Sequence, residues 1–293
     1  MKLLRLPLEY DDHVKVSAVV IVSQDGSGNF STINDAVAIA PNNTDGSTGY
    51  FLIYITAGVY EEYISIAKNK KYLMMIGDGI NQTIITGNHS YNVDGYTTFS
   101  SSTFAVVGEG FVAVNITFQN TAGAINHQAV AVRNGADLST FYSCSFQGYQ
   151  DTLYVHSLRQ FYREYDIYGT INFIFGNAVA VFQNSNIYPK LPLQNQFNAI
   201  TAQGRTDLNQ NTEISIQNCM VKPADDLKFN NNSTQTYLEF NNTGPGSNTS
   251  GRVTWPHFHV IDVADAANFT VSSFLLGDNW LTQTGVPYFS GLL

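Results

Sequence analysis

Apolar residues in this chain come in short bursts, not in long amphipathic waves. Phe51-Leu-Ile-Tyr-Ile-Thr56 is an apolar run of strand length, Ala57-Gly58 breaks it, and Val59-Tyr60 resumes it. Such runs bounded by turn residues predict buried strands. One early segment has helical spacing instead. Ser31-Thr32-Ile33-Asn34-Asp35-Ala36-Val37-Ala38-Ile39-Ala40 opens on a Ser/Thr cap and ends at Pro41, which predicts a short N-terminal helix.

The middle of the chain repeats itself. Val112–Phe118, Phe141–Phe146, Phe161–Ile167, Phe182–Ile187 and Ile216–Val221 are similar segments, and their closing residues are separated by 28, 21, 20 and 34. A unit recurring near twenty residues, one strand apiece with irregular loops between, marks a stacked solenoid. With no helical crossovers between the strands, the fold class is all-β and the architecture a parallel β-helix. A β-sandwich is the rival. Its hairpins should place Asn-Gly or Asp-Gly between adjacent strands. Asn134-Gly135, Asp25-Gly26, Asp45-Gly46, Asp78-Gly79 and Asp94-Gly95 do not separate the repeated segments.

Composition narrows the function. Of 293 residues 44% are hydrophobic, enough for a large core, while only 13% are charged, about half the usual share. This excludes a disordered chain, which needs high charge and few aromatics. The 14 Lys plus Arg against 23 Asp plus Glu leave a charge of −9, which argues against nucleic acid as a partner. No run of about 18 apolar residues is present, so no membrane-spanning helix is expected. Cys144 and Cys219 form at most one bridge; buried free thiols are the other reading. Asn-x-Ser/Thr sequons are frequent, beginning at Asn29, Asn81 and Asn115 among others. The opening Met1-Lys-Leu-Leu-Arg-Leu-Pro7 is nevertheless too interrupted for the apolar stretch of a secretory signal.

Coils of a solenoid lie about 4.8 Å apart, so residues about twenty apart become neighbours. Gln128, Gln150 and Asn172 are spaced 22 and 22, and Asp151 precedes Asn172 by 21. Three amides and one carboxylate should therefore meet on one face. They could donate to an oxyanion and move a proton, or they could form a purely structural amide ladder. His127, His156, His257 and His259 match no metal-ligand spacing.

Several ordered motifs carry a family resemblance. Gly58-Val-Tyr-Glu-Glu62, Gln128-Ala-Val-Ala-Val-Arg133, Gly148-Tyr-Gln-Asp-Thr-Leu-Tyr154, Gly169-Thr-Ile-Asn-Phe-Ile-Phe-Gly-Asn-Ala178 and Ala202-Gln-Gly-Arg-Thr-Asp207 resemble plant pectin methylesterases. So do Asn241–Ser247, Trp255-Pro256 and Gly285-Val-Pro-Tyr288. The resemblance runs from about Ile21 to Leu293. It implies a right-handed, single-stranded parallel β-helix, hydrolysis of galacturonate methyl esters in cell-wall pectin, and no cofactor or metal. It also implies an extracellular, cell-wall setting and a monomer. The implied partners are methyl-esterified homogalacturonan and a proteinaceous pectinesterase inhibitor, with neither nucleic acid nor membrane. Residues 1–20 read as an N-terminal extension in which Lys2-Leu3-Leu4 looks like the remnant of a processing site. Residues 21–293 read as the β-helix domain.

By the resemblance, Asp151 is the general acid/base, and Gln128 and Gln150 hold the oxyanion. Thr98, Gln128 and Phe175 contact substrate. Three departures stand against this pattern. Asn172 occupies the position of the nucleophilic aspartate. The chain runs from Tyr237-Leu238 straight into Glu239, where the family has roughly forty more residues, about two coils at solenoid spacing, carrying an arginine and a tryptophan of the site. Two cysteines usual in plant members are Tyr165 and Ser185, twenty apart and so one coil apart. Impaired or absent catalysis is therefore expected, with a non-catalytic pectin-binding module or a truncated, functionless product as alternatives.

Overall fold

The computed structural model describes residues 14–93, 95–207, 209–228 and 262–293. Within them, strands stack in parallel into three sheets. The first sheet has eight strands, from Val16–Val22 to Glu213–Gln217. The second has seven, from Gly58–Glu61 to Met220–Val221. The third has six, from Ile64–Ile66 to Thr201–Ala202. Each coil visits the sheets in turn. Ser139–Tyr142, Ser145–Gln147 and Leu153–Val155 make one coil, and Arg159–Arg163 re-enters the first sheet. This is the right-handed parallel β-helix. The first strand begins at Val16, so residues assigned to an N-terminal extension already belong to the sheet.

The repeat seen in the sequence is the physical register. Phe118 pairs with Phe146, Phe146 with Ile167, Ile167 with Ile187, and Ile187 with Val221. A recurrent corner keeps the coils in step despite unequal loops. Asn115, Ser143, Glu164, Asn184 and Asn218 have φ between 48° and 57°, turning the chain from the first sheet to the second. Asparagine tolerates this left-handed conformation better than most residues. The next residue in each coil forms an inner ladder: Ile116, Cys144, Tyr165, Ser185, Cys219. Cys144 and Cys219 are thus three coils apart, about 14 Å at the usual spacing, beyond the reach of a disulfide. Both are free thiols.

Aromatic rings fill the lumen. Phe118, Phe141, Phe146, Tyr162, Tyr165 and Phe182 contact one another at centroid separations of 4.7–6.0 Å, geometry that adds to their burial. The helix Ile33–Ile39 lies at the N-terminal end. Thr32 caps it by accepting from the Asp35 amide, and Ile33, Ala36 and Val37 are buried. The C-terminal segment lies along the first sheet. Val271, Leu275, Trp280 and Leu281 pack on Phe161, Val179 and Val181. The Gln183 amide holds the Phe289 backbone with bonds of 2.8 and 3.0 Å.

Candidate active site

The corner from the second sheet to the third carries Gly148-Tyr-Gln-Asp-Thr152. Buried Thr152 anchors it, its hydroxyl lying 3.2 Å from the Tyr149 carbonyl and 2.9 Å from the Tyr168 carbonyl. Gly148 and Gly169 flank that hydroxyl. A Cβ on either would meet it at 2.7 or 2.9 Å, so both positions exclude a side chain. On the preceding coil Gln128 pairs in parallel with Gln150. The Ala129 amide donates to the Gln150 carbonyl at 3.1 Å, and the Tyr91 amide donates to the Gln128 carbonyl at 2.9 Å. Two amide side chains therefore start from neighbouring points on one edge.

Asp151 and Asn172 occupy equivalent places on successive coils, fixed by the pairing of Leu153 with Ile174. The Asp151 amide donates to the Ile171 carbonyl at 3.0 Å. Both residues are left-handed, with φ 65° and 49°, a conformation that Asp and Asn tolerate better than most residues. Asp151 is 7% exposed. Burial pushes its carboxyl up to about 7, and among the described residues no neighbouring cation offsets this. In mild acid the group is therefore neutral and able to donate a proton. Asn172 supplies an amide, with neither the charge nor the nucleophilicity of a carboxylate.

The third sheet forms a floor beside this edge. Its outward ladder runs Ala105, Arg133, Tyr154, Phe175, Ala202. Phe175 stacks on Tyr154 at 4.3 Å. Phe99 covers the Arg133 guanidinium, 3.6 Å from ring centroid to Cζ. His156 meets the edges of both Phe99 and Tyr154. The structure thus unites Gln128, Gln150, Asp151 and Asn172 along one edge and places Phe175 on the adjoining floor. Thr98 lies in the loop bearing Phe99, where its carbonyl accepts from the Ser101 hydroxyl at 3.1 Å.

Sequence reading missed Arg133, Tyr154 and Phe99 as parts of this surface. A signal existed for two of them, because Arg133, Tyr154 and Phe175 are spaced by 21 and 21, the same step as Asp151 to Asn172. Arg205 bonds the Asp207 carbonyl through Nε at 3.0 Å. Tyr165 and Ser185 are neighbours on adjacent coils, with the Tyr165 amide donating to the Ser185 hydroxyl at 3.2 Å. The Leu238–Glu239 junction, Lys2-Leu3-Leu4, Trp255-Pro256, Arg252, His257 and His259 lie outside the described residues. Among the described residues, no group of three or more His, Cys, Asp or Glu could hold a metal ion.

A β-helix with an acid and paired amides at one sheet edge is the shape of a known protein class. The pectinesterase family model matches residues 19–239 and 236–278. "Probable pectinesterase/pectinesterase inhibitor 7" of Arabidopsis thaliana is 60% identical over 321 residues, covering 96% of this chain and 55% of the relative. "Pectinesterase 2" of Citrus sinensis is 48% identical over 317 residues, covering 94% and 61%. The chain spans little more than half the length of these curated relatives. Pectin methylesterase from carrot superposes with a TM-score of 0.89 at 43% identity, covering 93% of this chain and 98% of the carrot chain. A pectin methylesterase in complex with a hexasaccharide gives 0.62 at 31% identity, covering 73% and 68%. The chain belongs to the pectinesterase family.

Proposed function

We propose that this chain holds methyl-esterified homogalacturonan along the third sheet but hydrolyses its methyl esters weakly or not at all. The observation that carries this reading is Asn172, one coil from the buried Asp151. In the family mechanism one aspartate attacks the ester carbonyl to form an acyl-enzyme, while the other protonates methanol and then activates water. Asp151 suits the second role: its carboxyl is held neutral to about pH 7. Gln128 and Gln150 suit oxyanion stabilisation. Asn172 leaves the first step without an attacking group, a loss that can cost about 10⁶ in rate.

The same reading includes an internally shortened domain after Leu238. In support, the family match falls into two segments that meet at residues 236–239. In further support, 96% of this 293-residue chain aligns across 321 positions of the Arabidopsis relative, leaving about forty of those positions without a counterpart here. The segment lost in this reading would have carried the arginine and tryptophan of the site. The aromatic floor and the relative solved with a hexasaccharide support retained pectin binding. A relative's name that joins a pectinesterase to a pectinesterase inhibitor supports such an inhibitor as a partner, and a cell-wall setting follows from pectin as the ligand in this reading. The test pairs methanol release from methylated pectin with equilibrium binding of methylated oligogalacturonides. Binding with little or no turnover is expected, and turnover at the rate of an active relative would overturn the proposal.

A further inference from the structure

The outer face of the second sheet carries a cavity of about 350 Å³, across the corner at Gly148 from the third sheet. Strand alternation builds its floor. Phe118, Phe146, Ile167 and Ile187 are buried in the lumen, so the residues that follow them point outward. These are Gln119, Gln147, Tyr168 and Tyr188, one per coil and in register. Tyr168 and Tyr188 stack at 4.6 Å with their planes 7° apart. Gln119, Gln147 and Tyr168 line the cavity, joined by Tyr149 from the corner and by Lys190, which follows the strand Asn186–Pro189.

The polar groups of this cavity are oriented but not used up. The Gln119 Oε1 accepts from the Thr86 hydroxyl at 3.2 Å, and its Nε2 donates to the Gln147 Oε1 at 3.1 Å. Gln147 Nε2 donates to the Asn81 Oδ1 at 3.2 Å. Among the described residues one N–H of Gln119 and one lone pair of the Gln147 oxygen are left over. A donor beside an acceptor suits a sugar hydroxyl, which both donates and accepts. Lys190 adds a cation in a fixed place. Its amide donates to the Gly169 carbonyl at 2.7 Å, and its carbonyl accepts from Asn198 Nδ2 at 2.9 Å. Its ammonium lies 3.3 Å from the centre of the Tyr149 ring, held by cation–π attraction. Among the described residues no carboxylate pairs with it, although the chain has 23 acids against 14 lysines and arginines. Asp166, on the outer face of the same sheet, accepts from Asn186 Nδ2 at 2.9 Å instead.

We propose that this cavity is a second sugar site, separate from the cleft, that takes one uronic acid unit with its carboxylate on Lys190 and its ring hydroxyls on Gln119 and Gln147. The size fits: ligand cavities run from roughly 300 to 1,000 Å³, and this one is at the end suited to one or two sugar rings. The chemistry fits as well. The ammonium gives the carboxylate a charge-assisted bond, roughly twice as strong as a neutral one. The rings of Tyr149 and Tyr168 offer apolar surface to the C–H faces of a pyranose. A simple acidic side chain would use the cation and leave the amide pair idle. The site goes beyond the cleft reading and does not rest on it. A long pectic chain that reached both places would gain avidity from the second.

The test titrates two ligands into the full chain at pH 6 and 0.15 M salt. Trigalacturonate probes the cavity, and fully methyl-esterified hexagalacturonate probes the cleft. Lys190→Met keeps an apolar stem on Tyr149; it should weaken trigalacturonate at least tenfold and leave the hexamer within twofold. Lys190→Arg keeps a cation able to stack on the same ring and should stay within threefold of wild type for both. Trigalacturonate should also shield Lys190 from an amine-acylating reagent, read by mass spectrometry. No binding of trigalacturonate by wild type, unchanged affinity in Lys190→Met, or unshielded Lys190 overturns the site. Equal loss of both ligands in Lys190→Met would make the cavity part of the cleft and overturns it too. Triglutamate bound as tightly as trigalacturonate overturns the sugar assignment. Failure of wild type to bind the hexamer, with trigalacturonate still held through Lys190, overturns the cleft reading and supports this site.

Discussion

The amide of Asp151 donates to the carbonyl of Ile171 at 3.0 Å, so the acid of one coil is tied to the residue just before Asn172 on the next. This geometry already suits a two-carboxylate mechanism with one carboxylate absent. Gln128 and Gln150 are also paired. On the reading above, the deficit is chemical at Asn172 and compositional after Leu238.

Repair of one part should fail. On that reading Asn172→Asp restores a carboxylate without the arginine that would orient it. Reinsertion of about forty residues after Leu238 restores the arginine beside an amide. Groups that act as a unit are strongly non-additive. Parent and both single repairs should release little methanol from methylated pectin, and the double repair should release it at a rate at least a hundredfold higher. Vigorous turnover by Asn172→Asp alone would show that the existing chain supplies the orienting charge.

Stability should depend on pH through Asp151. Its carboxyl is raised from an ordinary 3.8 to about 7 by burial. Between those values the unfolded chain has released a proton that the folded chain still holds. Stability therefore falls as pH rises through this window, by on the order of 1.4 kcal/mol per pH unit, and levels off above 7. Asp151→Asn should remove this component and be more stable than wild type at pH 8. Denaturant titrations of both proteins from pH 4 to 8 give the difference directly; parallel curves would mean that the carboxyl ionises normally in the fold.

Much of this architecture was legible in the chain. The steps of 28, 21, 20 and 34 were readable because residues facing a shared lumen must be apolar, so Phe118, Phe146, Ile167, Ile187 and Val221 declare their stacking. The Asp151–Asn172 neighbourhood followed from the same coil arithmetic. Arg133 was not legible as a cleft residue. A cation amid apolar residues reads as a motif letter until the ladder shows Tyr154 and Phe175 beside it. The separation of Cys144 from Cys219, by contrast, was legible, since they hold matching positions in the Phe141–Phe146 and Ile216–Val221 segments, three repeats apart.

The last described coil should be adhesive. Ile216, Met220 and Val221 lie on the terminal strands of their sheets and are 41%, 56% and 38% exposed. A sheet edge with apolar residues invites pairing between molecules. Ile216→Thr with Met220→Gln should cut aggregation during heating several-fold, followed by light scattering at matched concentration. Exposed positions of this kind typically change stability by about 0.5 kcal/mol or less. Unaltered scattering at equal stability would place the adhesive surface elsewhere.

Tyr165 offers a gain in stability by removal of one atom. Its ring packs against Phe146 and Phe182 at 5.9 and 5.5 Å, and the residue is 1% exposed. Among the described residues its hydroxyl is buried without a hydrogen-bond partner of normal geometry, with only the Ser185 hydroxyl and the Cys219 thiol near it, and burial drives its pKa far upward. An unsatisfied buried hydroxyl costs about 1–3 kcal/mol. Tyr165→Phe keeps the ring contacts and deletes the cost, so the melting temperature should rise by a few degrees. Tyr165→Ala should instead lose roughly 3–5 kcal/mol, as large aromatic truncations do. Ser185→Ala supplies the control. Its hydroxyl accepts from the Tyr165 amide at 3.2 Å, so losing it leaves a buried N–H unpaired and should destabilise by about 1 kcal/mol or more. Thermal melts of the three variants beside wild type decide the matter. A Tyr165→Phe protein that melts lower would mean that the hydroxyl is satisfied, with the Cys219 thiol on the same inner ladder as the group to substitute next.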